Sequence, residues 1–152
     1  MTQETVEVVV REKASNELVS VAASATVLDA VDAMSRHDIG AVLIFTEDGL
    51  AGGIFTERDL LVRVVEAGRD PKTTPISLVM TRDVHFVSPG TPIDAALSLM
   101  LVQRHRHLLV IDGPRVYGLV SMRDLVHRMI RHSQGRFEAA VRQAGGIRPG
   151  AG

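Results

Sequence analysis

The stretch Gly53-Ile54-Phe55-Thr56-Glu57-Arg58-Asp59-Leu60 returns 65 positions later as Gly118-Leu119-Val120-Ser121-Met122-Arg123-Asp124-Leu125. Gly, a hydroxyl residue, Arg, Asp and Leu recur at the same relative positions, so the chain is built from two copies of one unit. One copy reads as an apolar strand ending at Thr56 or Ser121, residue types that cap a helix through the side-chain oxygen. Arg and Asp then fall in the first helical turn. Backbone amides and the positive end of the helix dipole make such a start favourable for an anion. An Asp there can accept hydrogen bonds from two vicinal hydroxyls, which is what a ribose offers. Each copy therefore reads as half of a nucleotide-holding device.

The rest of the chain repeats around these stretches. Residues 1–16 are ambiguous: Val6, Val8, Val9 and Val10 suit a strand, while Glu4 to Lys13 also fits a short amphipathic helix. Glu17 to Ala22 alternates like a strand, and Val27 to His37 has helical spacing after a cap at Ser24 to Thr26. Ile39 to Phe45 and Leu50 to Phe55 read as strands around the turn Glu47-Asp48-Gly49, and a helix follows from Glu57 until Gly68 stops it. Arg69 to Pro75 is a linker, and Ile76 to Met80 a short helical turn. The pattern restarts with a strand at Val84 to Val87. A helix begins at Thr91 with Pro92 in its first position, burying Ile93, Ala96, Leu97, Met100 and Leu101. Strands at His107 to Ile111 and Val116 to Val120 and a helix from Met122 to His132 complete it. Each half thus has the order β-α-β-β-α, with offsets of 65 at the first helix, 66 at the middle strand and 65 at the last. Ser133 to Gln143 has helical spacing, and Gly145 to Gly152 has too little to bury to be ordered.

Several classes of function are excluded or disfavoured. With 152 residues a single domain of two halves is expected, and a net charge of -1 gives no pull toward nucleic acid. No Trp, one Tyr and four Phe leave no aromatic platform for single strands. The absence of Cys removes thiolate metal sites and thiol nucleophiles. His105 and His107 would share a strand face, but no carboxylate partner accompanies them, so no metal is expected. No Gly-x-Ser-x-Gly elbow, HExxH helix or P-loop is present, so no catalysis is expected. With neither a signal peptide nor a membrane-length apolar run, the expected place is the cytoplasm.

The twin motif, the linker Thr74-Pro75-Ile76-Ser77-Leu78-Val79-Met80-Thr81, the run Ser88-Pro89-Gly90-Thr91-Pro92 and Arg104-His105-Arg106-His107-Leu108-Leu109-Val110 together resemble a stand-alone pair of CBS domains, a Bateman module. The resemblance spans about residues 17 to 131, with repeats at 17–72 and 73–132 between extensions at 1–16 and 133–152. It implies an α/β fold whose two β-α-β-β-α repeats pack sheet to sheet with pseudo-twofold symmetry. It also implies a non-catalytic regulator, homodimeric through the repeats, that binds AMP, ADP or ATP, or else NAD or S-adenosylmethionine, and acts on a separate partner protein. Asp59 and Asp124 match the ribose-binding Asp, with Thr56 and Ser121 beside it. Arg106 and His107 match places of basic phosphate ligands, and Arg58 and Arg123 are first-turn cations able to approach phosphates. Ser20, Val21 and Ala22, with His85, Phe86 and Val87, match the adenine-contacting first strands. Gly40 and Ala41, uncharged, stand opposite Arg106 and His107, which implies unequal sites. The competing expectation is a structural dimerisation module with vestigial sites.

Overall fold

The computed structural model describes residues 3–13, 18–145 and 150, with side chains of 134–137 left aside. Two three-stranded sheets carry the fold. In the first half β1 (Ser20–Ala22) pairs parallel with β2 (Ala41–Phe45), which pairs antiparallel with β3 (Ala51–Thr56). In the second, β4 (Phe86–Val87), β5 (His107–Asp112) and β6 (Arg115–Ser121) do the same. The parallel pairs are bridged by α2 (Val27–His37) and α4 (Ile93–Gln103), as parallel pairing requires a crossover. Even the register breaks match, after Ile44 and after Val110.

Each half has its own core between sheet and helices. Val27, Ala30, Met34, Val42, Ile44 and Phe55 form the first, and Ile93, Ala96, Met100, Leu108, Val110 and Val120 the second. A third cluster joins them: Leu43, Ile54 and Leu109 are buried together, with Leu119 packed alongside. Leu43 and Leu109 are repeat equivalents, as are Ile54 and Leu119. This is the sheet-to-sheet contact with pseudo-twofold symmetry that the resemblance implied.

The structure corrects the repeat alignment. α2 and α4 bury residues 27, 30, 34 and 93, 96, 100, so the first helices correspond at an offset of 66, not 65. Pro92, not Thr91, is the counterpart of the N-cap Thr26, and it caps the helix rather than opening its first turn. The offset returns to 65 only beyond the hairpin. Leu101 therefore matches the exposed Ser35, and at 70% exposure it lies outside the core where periodicity had placed it.

Other elements differ from the sequence reading in extent. The ambiguous N-terminus is helical, α1 (Val6–Glu12), because Val6 and Val9 lie one turn apart and both enter the second core. After Asp59 the third helix, α3 (Glu57–Asp59), continues as π-helical turns over Leu60–Val65, and Gly68 ends the run at φ +71°. The linker turn is a 3-10 segment, Ile76–Leu78. The strand expected from Val84 pairs only at Phe86–Val87, and that expected from Glu17 begins at Ser20. α5 (Met122–His132) breaks at Ser133 before α6 (Gln134–Ala144). The disorder expected beyond Gly145 falls largely outside the described residues. Among these, no helix is long and apolar enough to cross a membrane.

α1 has a counterpart. Val6 N–H bonds Thr91 O and Ile93 N–H bonds Glu4 O, while Ile76 N–H bonds Ala25 O and Val27 N–H bonds Thr74 O. Residues 4–6 thus clasp the second half as residues 74–76 clasp the first. The segment that precedes each half in sequence packs against the other half: Ile76, Val79 and Met80 complete the first core, Val6 and Val9 the second.

Candidate functional site

Both repeated motifs form the capping arrangement their residues dictate. Thr56 Oγ1 accepts from Asp59 N–H at 3.2 Å and Asp59 Oδ2 accepts from Thr56 N–H at 3.0 Å. Ser121 and Asp124 repeat this at 3.0 and 2.8 Å. The first helical amides, of Glu57 and Met122, are taken by Gly40 O and Arg106 O. Most first-turn donors are therefore engaged internally, so the anion-binding capacity expected of these helix starts falls mainly to side chains.

The segments that clasp each half run past these motifs and explain the repeated Gly. Thr81 exchanges two backbone hydrogen bonds with Ile54, at 2.8 and 2.9 Å. It passes so close that a Cβ on Gly53 would lie 2.3 Å from Thr81 O. In the second half Val10 of α1 crosses Gly118, 3.1 Å from where a Cβ would stand.

Each Asp meets a residue of its clasping segment, and here the halves part. Thr81 Oγ1 donates to both Asp59 oxygens, at 3.0 and 3.1 Å, and Asp59 is 6% exposed. Lys13 Nζ lies 2.8 Å from Asp124 Oδ2 and donates to Leu119 O at 2.6 Å. Leu119 is the repeat equivalent of Ile54, so one ammonium does in the second half what the Thr81 amide and hydroxyl do in the first. Asp124 keeps 28% side-chain exposure. Burial pushes its carboxyl up, but the Lys13 hydrogen bond and charge and the Ser121 amide and hydroxyl outweigh this and hold it below the usual range.

Asp124, Ser121, Arg123 and His107 share the wall of a cleft of about 890 Å³ between the halves, within the size of a small-molecule site. The first half lines it with Leu18 and Val19, before β1, and with His37, Asp38 and Ile39-Gly40-Ala41, where α2 turns into β2. Arg115, Arg131 and Lys13 add cations. Arg128, also on this wall, is engaged by Glu4 at 2.5 Å and by Glu12, which ties α5 to α1. Burial, then the nearby Lys13 charge, lowers the His107 pKa despite Asp124, so its imidazole is neutral at pH 7.

The remaining sequence-derived candidates lie elsewhere. Ser20 and Val21 line a smaller hollow of about 390 Å³ beside Asp29, Asp32 and Arg36. Ala22 is exposed and pairs with Phe45. Thr56, Arg58, Asp59 and Arg106 are not on the large cleft; Arg58 and Arg106 are exposed. The His85 ring tilts against His105, with centroids 4.5 Å apart, while Phe86 is exposed and Val87 buried. Sequence reasoning missed Lys13, Leu18, Val19, Ile39 and Arg115. Only the matching of Gly40 and Ala41 to Arg106 and His107 hinted that the α2–β2 turn mattered.

The two halves match the CBS domain model at residues 9–66 and 76–131. The chain belongs to the CBS-domain family. The mitochondrial CBS domain-containing protein CBSX3 of Arabidopsis thaliana is 36% identical over 69% of this chain, which spans about half, 53%, of that protein's length. The CBS protein YhcV of Bacillus subtilis is 30% identical over 83% of this chain and 89% of its own. Among solved structures, a CBS-domain protein from Burkholderia ambifaria superposes with a TM-score of 0.80 at 34% identity, covering 86% of this chain and 97% of its own. PAE2072 from Pyrobaculum aerophilum, solved with AMP, shares the fold at a TM-score of 0.69 and 19% identity, over 80% of this chain and 89% of its own.

Proposed function

We propose that this CBS pair is a non-catalytic cytoplasmic regulator that binds an adenine nucleotide reversibly, AMP foremost, with ADP, ATP, NAD or S-adenosylmethionine as further candidates. The observation that carries this reading is the cleft around Asp124. It brings a carboxylate and a hydroxyl able to take a ribose diol into one cleft with Leu18, Val19 and Ile39, apolar groups able to take a base, and with Arg115, Arg123 and Arg131 available to phosphate. The AMP complex of PAE2072 supports the reading to the extent that this fold accommodates AMP. Binding would alter signalling to a partner protein only through a difference in affinity between two states of the module.

The repeats are unequal in this reading. Asp59, already bonded to Thr81 and shielded from solvent, serves the first half as a structural cap, and Asp124 serves the ligand. The test is calorimetry against the five nucleotides with wild type, Asp59→Ala and Asp124→Ala. Binding of one of them, abolished by Asp124→Ala, is the expected result; no heat from any overturns it.

A second reading, a structural dimerisation module with a vestigial site, draws on the exposed Leu61, Val65 and Leu78, 61 to 64% accessible around the first half's helical turns. Its signature is thermal stability unmoved by saturating nucleotide. A ligand selective for the folded state at 100 times its Kd would add about 2.7 kcal/mol.

A further inference from the structure

The Lys13 ammonium occupies the place at Asp124 where the proposed ribose would bind. It is held by side-chain contacts alone, 2.8 Å from Asp124 Oδ2 and 2.6 Å from Leu119 O. Its first-half counterpart, Thr81, is fixed by two backbone bonds as well as its hydroxyl. A lysine side chain can swing on its four-carbon stem without disturbing the backbone, whereas Thr81 cannot leave Asp59 unless the linker comes off β3. Lys13 is also 37% exposed, with the cleft before it.

We infer that Lys13 makes the cleft selective for phosphorylated nucleosides over nucleosides. A ligand bringing only a diol must part Lys13 from Asp124 and leave the ammonium without a counter-ion in a partly desolvated cleft. A ligand bringing a diol and a phosphate replaces the lost carboxylate with a new anion, so the ammonium exchanges one partner for another. Discrimination then arises from an element that repels the wrong ligand, not only from contacts with the right one. Arg115, Arg123 and Arg131, which also line the cleft, attract phosphate as well, but it is Lys13 that is paired with Asp124. Removing their charge would weaken phosphate binding and leave nucleoside binding as it was. Only Lys13 acts on both ligands in opposite senses.

The inference rests on the nucleotide reading above, and the experiment separates the two. AMP and adenosine are titrated calorimetrically into wild type, Lys13→Met, Lys13→Gln and Lys13→Arg, with Asp124→Ala as the control for the cleft. Circular dichroism confirms the fold of each. Wild type and Lys13→Arg should prefer AMP by about tenfold or more. In Lys13→Met and Lys13→Gln adenosine should bind several-fold tighter than in wild type, and the AMP preference should shrink about tenfold. AMP binding that Asp124→Ala abolishes, with adenosine affinity no higher in either neutral variant, overturns the role of Lys13 and leaves the nucleotide reading standing. Absence of AMP and adenosine binding in every protein overturns the role of Lys13, and the nucleotide reading then falls only if ADP, ATP, NAD and S-adenosylmethionine give no heat either.

Discussion

Asp59 and Asp124 close the same capping box in the two halves, yet Asp59 is bonded by the Thr81 hydroxyl at 3.0 Å and Asp124 by the Lys13 ammonium at 2.8 Å. The two partners belong to equivalent segments, the linker and the end of α1. A backbone-anchored hydroxyl partner, backed by Arg63 Nε at 3.6 Å, makes one carboxylate part of the framework. A charged, side-chain-anchored one leaves the other available for exchange. The asymmetry of the module therefore originates outside the repeated motif.

The two alanine substitutions should separate along that line. Asp59→Ala removes a buried cap and strands the Thr81 hydroxyl, costing about 2 kcal/mol or more in urea unfolding. It should leave nucleotide affinity within about twofold, since Asp59 is not on the cleft. Asp124→Ala should cost less stability and abolish binding. Equal loss of binding in both would mean that the first half also holds ligand.

Glycine at the repeat start is required more strictly in one copy. Gly53→Ala drives a methyl to 2.3 Å from the Thr81 carbonyl, backbone that cannot yield without parting the linker from β3. A loss of about 3 kcal/mol or more is expected by chemical denaturation. Gly118→Ala meets side chains, Val10 at 3.1 Å and Leu18 at 3.8 Å, and a small shift of α1 relieves the closer contact, so about 1 kcal/mol is expected. A reversed order would contradict the packing described.

His107 should give the protein a stability slope in mild acid. Burial, with the Lys13 charge, holds its folded-state pKa below the ordinary 6.5. Between that depressed value and 6.5 the unfolded chain binds the proton and the folded chain does not, so stability falls as pH drops through this interval. It is fully present above the unfolded value. His107→Gln should flatten the slope of unfolding free energy between about pH 7 and pH 5, and an unchanged slope would locate the proton uptake elsewhere.

Leu61 and Val126 stand at matching positions of the two halves, 63 and 38% exposed on their helices. We expect this face to join two copies. Leu61→Glu with Val126→Glu should weaken self-association by at least about tenfold in sedimentation velocity, since buried charge at an interface core is costly. Wild type sedimenting as a monomer, or the double variant as a dimer, would refute the assignment.

The sequence by itself determined the two-half architecture. Gly, Thr/Ser and Asp at fixed spacing specify a strand, a cap and a helix through bonds spanning only three residues, and local geometry of that kind is written in residue type. α2 was legible for the same reason: Thr26 and Asp29 close a third capping box, at 2.9 and 3.2 Å. The α4 register was not, because Pro92 and Thr91 are both acceptable near a helix start and only burial of Ile93, Ala96 and Met100 selects between them. The residues of the cleft lay further out of reach. Lys13 meets Asp124 across 111 positions, and Leu18 and Ile39 face it only because the two sheets pack through Leu43, Ile54 and Leu109. Which of two identical-looking aspartates faces the cleft depends on what passes over each. That is decided by how the intervening segments fold back across the sheets, a long-range outcome no spacing within one copy encodes.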